Sequence, residues 1–101
     1  MSQPRPHTRA TDLDIRHDPE QSCFECEVDG LRCVIDYRQT DGVMHITHTE
    51  VPPALEGRGI AAALVRFALV HARESGWKVN PLCSYVRIYM QRHAETHDLR
   101  A

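Results

Sequence analysis

Over residues 23–51 apolar and polar positions alternate or gather in short runs; from residue 60 the apolar positions recur every three or four. That change of period, from about 2 to about 3.6, divides a strand-forming half from a helical one. The first strand is expected over 23–28, and Asp29-Gly30 is a two-residue hairpin signal. A second strand follows over 31–38, where Val34, Ile35 and Tyr37 favour β structure. Thr40-Asp41-Gly42 makes another tight turn, and a third strand runs over 43–51 until Pro52-Pro53 ends it.

A helix is expected from about Glu56, with Ile60, Ala61, Leu64, Val65, Ala68, Leu69 and Ala72 on one stripe. Arg66, Arg73 and Glu74 fall outside the stripe, and Gly76 suits the helix stop. Residues 77–81 read as a short strand, and a second helix begins near Leu82 or Cys83 and reaches about Arg92. The polar segment from His93 onward carries no clear period. The fold class is therefore α/β in the α+β sense: a three-strand antiparallel meander, then helix, strand and helix. The strand–helix–strand connection across residues 52–77 should be parallel and right-handed.

Composition narrows the function. A chain of 101 residues holds one domain, here 15–101, behind a Pro-, Arg- and Thr-rich segment, 1–14, that reads as a flexible tail. The formal charge of −2 supplies no basic field, which argues against a nucleic-acid partner. No apolar run approaches the ~20 residues of a membrane span, and the first residues lack the apolar centre of a secretory leader. A cytoplasmic location follows as the expectation, with the four cysteines as free thiols. A monomer or weak homodimer is expected.

The chemistry starts at Gly57-Arg58-Gly59, placed between a strand end and a helix start. Such a turn exposes backbone N–H groups and the positive end of the helix dipole, and glycines let a phosphate approach without a Cβ clash. The alternative is that the glycines only shape the turn. Gly57-x-Gly59-x-x-Ala62 fits a loose dinucleotide fingerprint, yet residues 77–81 hold no acid for a ribose. No Gly-Lys-Ser/Thr follows, so the Walker pattern is absent.

The segments "HTEVP", "GRGIA" and "PLCSY" together resemble the GNAT acyltransferase superfamily, and within it a group of minimal GNAT-like proteins with a Cys-Ser-Tyr motif. The match spans 45–93, and 15–44 by pattern only. The resemblance implies a GNAT-like mixed sheet, acetyl-coenzyme A as cofactor and an N-acetyltransferase. Gly57, Arg58, Gly59, Ile60 and Ala61 would surround the pyrophosphate. The pantetheine arm would run between the ends of the third and fourth strands, past Val51 and Asn80. Arg87, Arg92 and His93 form a local basic patch that could meet the 3′-phosphate, the alternative being a solvated helix face. The acceptor would be a small-molecule or peptide amine. Two departures stand out: Ala54 occupies the place of the superfamily's usual Gln or Arg, and the strand–helix portion that usually builds the acceptor pocket has no counterpart in this sequence.

Cys83 falls at the expected start of the second helix, where the dipole favours a thiolate. It could take an acetyl group or lie beside the thioester, and the resemblance makes the matching cysteine catalytic. The resemblance implies a tyrosine of this helix as general acid, with Tyr89 the candidate; Tyr85, four residues earlier, shares its face, and core packing is the alternative role for each. His45 and His48 are three apart on one strand and should face opposite ways, with His48 a candidate general base. Two rivals remain. Cys23-x-x-Cys26 with Cys33 invites zinc, but no second pair exists and an odd separation turns the two thiols to opposite faces. The domain could also bind acyl-coenzyme A as an interaction module without efficient transfer.

Overall fold

The computed structural model describes residues 13–101, so the tail expected over 1–14 lies outside the described residues except for Leu13 and Asp14. The elements are β1 (Arg16–Asp18), β2 (Cys23–Val28), β3 (Leu31–Thr40), β4 (Val43–Glu50), α1 (Ile60–Ser75), β5 (Lys78–Pro81) and α2 (Ser84–Arg92). Short 3-10 turns occupy Pro53–Leu55 and Ala94–Leu99. The five strands lie in sequence order across one sheet. Every pair is antiparallel except β4 with β5, which is parallel. This is the expected mixed sheet with one strand more.

Local chemistry sets the boundaries. Asp29 and Gly30 both have positive φ, 53° and 77°, the type I′ turn that matches strand twist. Asp41 and Gly42 (φ 51° and 75°) repeat the device without Thr40, which pairs with Val43 and lengthens β3 by two residues beyond the expected Arg38. The helix expected from Glu56 starts instead at Ile60. Gly57 and Gly59 are left-handed (φ 82° and 78°), so the chain cannot be helical before Gly59 is passed. Gly76 ends α1 in the left-handed conformation, donating to the carbonyls of Ala72 and Arg73.

Alternate residues of β2 and β3 (Phe24, Cys26, Val28; Cys33, Ile35, Tyr37) join Met44, Ile46 and Val79 in one core with the stripe of α1 and with Val86 and Met90 of α2. Ile60, Leu64, Val65, Ala68, Leu69 and Ala72 of that stripe are all buried. Truncating Leu64, which is fully buried, to alanine should cost about 2–5 kcal/mol.

β1 has three residues, too few to display an alternation, and a tertiary clasp holds it. The His17 ring stacks on Phe24 at 4.4 Å, shares a 2.6 Å hydrogen bond with the Tyr37 hydroxyl and lies 4.4 Å from the His71 ring. The polar C-terminal segment is also held by tertiary bonds. Arg73 forks onto the Asp98 carboxylate at 2.7 and 3.0 Å, Lys78 Nζ donates to the Asp98 carbonyl, and Ala101 N–H donates to Val79 O at 2.9 Å.

Candidate functional site

The site forms where two strands part. β4 pairs with β5 only from Val43 opposite Lys78 to Ile46 opposite Pro81. Beyond that point β4 continues against β3 alone, with a bulge: Tyr37 opposes Ile46 and Asp36 opposes His48, leaving Thr47 as the extra residue.

The bulge corrects the expectation that His45 and His48 face opposite ways. His45 opposes Arg38 and His48 opposes Asp36. Arg38 and Asp36 are two apart on β3, so both histidines lie on the sheet face away from the core. Thr49, opposite Ile35, takes the core side instead. His45 hydrogen-bonds Thr40 Oγ1 through Nε2 and Asn80 Nδ2 through Nδ1, both at 3.0 Å. His48 is exposed and pairs with Glu50 at 3.1 Å.

A cavity of about 430 Å³ opens at this end of β4, lined by Thr49, Val51, Leu55, Glu56, Gly57, Gly59, Ile60, Ala61 and Tyr85. Five residues expected at a cofactor, Val51, Gly57, Gly59, Ile60 and Ala61, thus meet around one space. No side chain caps the N-terminus of α1 and its first turn holds no acid, so the backbone N–H groups there are left for a ligand. A Cβ placed on Gly57 would meet nothing within 4 Å, which leaves the turn open to close approach. These features fit a phosphate-bearing group.

The Arg58 side chain is engaged elsewhere. Its guanidinium reaches back to Asp29 of the β2–β3 turn at 2.9 Å, and only 15% of the side chain is exposed. Asn80 is spent on His45, and Arg87 lies exposed on α2, donating to the Leu82 carbonyl at 3.4 Å. Neither lines this cavity.

Cys83 is the N-cap of α2. Its N–H donates to Ile46 O at 2.9 Å, which ties the helix start to β4 just where β5 leaves it. Its Sγ lies 3.6 Å from Thr49 Oγ1, one residue into the cavity wall. The other three thiols are buried. Burial pushes Cys26 up to about 11 and raises Cys23 and Cys33 as well. Cys26 faces Cys33 in the core while Cys23 lies on the opposite face with Asp18 and Glu25, so the Cys-x-x-Cys pair does not converge. Glu25 is already paired with Arg32 at 2.7 Å.

A larger apolar cavity, about 910 Å³, lies between α1 and α2 and shares Gly59 and Tyr85 with the first. Ala62, Ala63, Phe67, Val70 and Ile88 contribute its apolar wall, and Arg66 and Arg92 bring positive charge. Tyr89 lines this space, its ring stacked on His93 at 3.9 Å. Burial raises the phenols of Tyr85 and Tyr89. Of the two tyrosines, Tyr85 reaches the cavity beside Thr49.

Sequence reasoning passed over Thr49 and Tyr85 as site residues. Tyr85 carried a signal, its spacing of four from Tyr89. Thr49 carried none, because strand alternation without the bulge points it outward.

The family model described as GCN5-related N-acetyl-transferase matches residues 23–99. Among curated proteins the chain is similar to Protein NATD1 of mouse (Mus musculus), 32% identical over 84 residues, covering 80% of this chain and 76% of that protein. Protein NATD1 of chicken (Gallus gallus) is 31% identical with the same coverage, and that of human (Homo sapiens) is 32% identical, covering 74% of the human protein. Among solved structures, a GCN5-like protein of Staphylococcus aureus determined by NMR superposes with a TM-score of 0.70 at 27% identity, covering 88% of each chain.

Proposed function

This chain belongs to the GCN5-related N-acetyltransferase family, and from that premise we propose that it binds acetyl-coenzyme A and transfers its acetyl group to a small-molecule or peptide amine, with Cys83 at the reacting end. The observation that carries the reading is the continuity of one wall. Gly57, Gly59, Ile60 and Ala61 of the turn and the half-buried Val51 and Thr49 line the 430 Å³ cavity, and the Cys83 sulfur lies behind that wall, hydrogen-bonded to Thr49.

In this reading the backbone N–H groups from Gly57 to Ala61 hold the pyrophosphate. Val51 and Thr49 flank the pantetheine arm where β4 and β5 diverge. The adenosine end lies in the apolar space between α1 and α2, where Arg66 and Arg92 meet the 3′-phosphate in place of Arg87. The donor supplies an activated thioester. The Cys83 thiolate attacks the thioester carbonyl, forming an S–acetyl bond as the carbon–sulfur bond to coenzyme A breaks. Tyr85 gives its phenolic proton to the departing thiolate. An amine then attacks S-acetyl-Cys83, returning the thiolate, and the proton the amine loses restores the Tyr85 phenol. His48, exposed and paired with Glu50, is placed on the far face of the sheet and has no part in the first step.

Mass spectrometry after incubation with acetyl-coenzyme A tests this. One acetyl group on Cys83 is expected, with loss of transfer but retained coenzyme binding in Cys83→Ala. Full transfer by Cys83→Ala would refute the cysteine route. Coenzyme binding with no acetyl on Cys83 and no product for any amine would point to a module that binds without transferring.

A further inference from the structure

Thr49 hydroxyl chemistry extends this picture. The β4 bulge at Thr47 reverses the alternation of the strand, so Thr49 and not His48 occupies the position facing the cavity. The hydroxyl is 3.6 Å from Cys83 Sγ. Among the described residues this is the one side-chain hydrogen bond to that sulfur, and the one hydrogen bond of the Thr49 hydroxyl. The neighbouring threonines are engaged elsewhere, Thr47 with Asp36 O at 3.4 Å and Thr40 with His45 at 3.0 Å. The cysteine backbone is fixed independently through Ile46 O. Rotation about the Cys83 side chain is therefore the one freedom left to the sulfur, and Thr49 is placed to settle it.

A hydroxyl suits both states of the sulfur. It accepts from a neutral S–H, and by rotating its own O–H it donates to a thiolate. Hydrogen bonds to an ionised partner are about twice as strong as neutral ones, so this contact matters most when the sulfur carries charge. A carboxylate at the same place would repel it, and a valine would leave the charge without a donor. The β4 bulge thus delivers a small neutral donor to the sulfur and sends the imidazole of the preceding residue to the other face.

We propose that Thr49 is the positioning residue for Cys83, holding its sulfur against the cavity wall at Thr49 and donating a hydrogen bond to the thiolate. Its consequence for transfer rests on the reading of Cys83 as acetyl acceptor; its effect on the sulfur itself does not.

The test uses the full chain and its Thr49→Val, Thr49→Ser and Cys83→Ala variants. Iodoacetamide alkylation of Cys83, followed peptide by peptide in mass spectrometry across a pH series, reads the sulfur directly. The three buried thiols serve as internal controls. Thr49→Val should move the Cys83 profile to higher pH and slow alkylation at neutral pH by roughly tenfold, the scale of one charge-assisted hydrogen bond. Thr49→Ser should restore the rate to within about twofold, since it keeps the hydroxyl. Thr49→Ala carries the same expectation as the valine if the latter fails to fold. A Thr49→Val profile superposed on the native one, or equal shifts for valine and serine, overturns the proposal. If valine shifts the profile while Cys83→Ala transfers acetyl at the native rate, the Thr49 pairing stands and the cysteine route falls.

Discussion

Replacing Gly57 by alanine separates the two jobs that glycine does in the turn. Gly57 sits at φ +82°, and a Cβ there would meet nothing within 4 Å. The cost in the free protein is therefore conformational and not steric. Holding an L-residue in the left-handed region costs about 1–2 kcal/mol, and the smaller entropy of unfolded alanine returns roughly half a kcal/mol or more. A net loss near 1 kcal/mol should lower Tm by about 4–8 °C in a domain of this size. Gly30 is the matched control. Its φ is +77° and its Cβ would also meet nothing within 4 Å, but it lies in the β2–β3 turn. Gly30→Ala should lose the same stability and bind coenzyme A as the native chain does. Gly57→Ala adds a methyl at the face where a phosphate would approach, and should weaken binding at least about tenfold, or roughly 1.4 kcal/mol. Thermal unfolding and calorimetric titration of both variants give all four numbers. Native affinity in Gly57→Ala, with the expected loss of stability, would refute the close-approach argument. Equal loss of affinity in both variants would trace it to general destabilisation.

Arg58→Ala should keep coenzyme affinity within about threefold, because its guanidinium serves Asp29 and the turn binds through its backbone; a tenfold loss by calorimetry would show that the side chain swings to the ligand. Tyr85→Phe should lower kcat for acetyl transfer by roughly tenfold to a hundredfold while Tyr89→Phe changes it little, as steady-state kinetics can read. Stability should fall as pH drops below about 6.5, the ordinary histidine value. Burial against Phe24, then the neighbouring His71, holds His17 below that value, with Asp18 opposing. The folded chain therefore binds fewer protons than the unfolded one, so the stability is fully present above the ordinary value and lost as pH falls toward the folded one. His17→Gln should flatten the pH dependence of the urea midpoint; an unchanged slope would remove His17 from the account.

Much of this fold is written in local signals. Asp29-Gly30 and Asp41-Gly42 specify their turns, and the stripe from Ile60 to Ala72 specifies the face that α1 buries. The glycine turn, Val51 and the start of α2 at Cys83 were legible for the same reason, since each is marked by residues within a few places. What escaped depends on partners distant in sequence. β1 is held by Tyr37 and His71, and the C-terminal segment by Arg73 and Lys78. The bulge at Thr47 has no residue signature, and one inserted residue exchanged the faces of His48 and Thr49. Arg58 looked like a phosphate ligand because its partner, Asp29, is 29 residues away.

The central claim is that acetyl-coenzyme A occupies the cavity between the glycine turn and Cys83. An NMR titration of the native chain with coenzyme A, following backbone amide shifts, tests it most directly. Saturable shifts should concentrate at Thr49, Val51, Gly57 to Ala61 and Cys83 to Tyr85, with the β2–β3 turn unmoved. Shifts absent at a large excess of coenzyme A, or centred on the outer sheet face around His48 and Asp36, would contradict it.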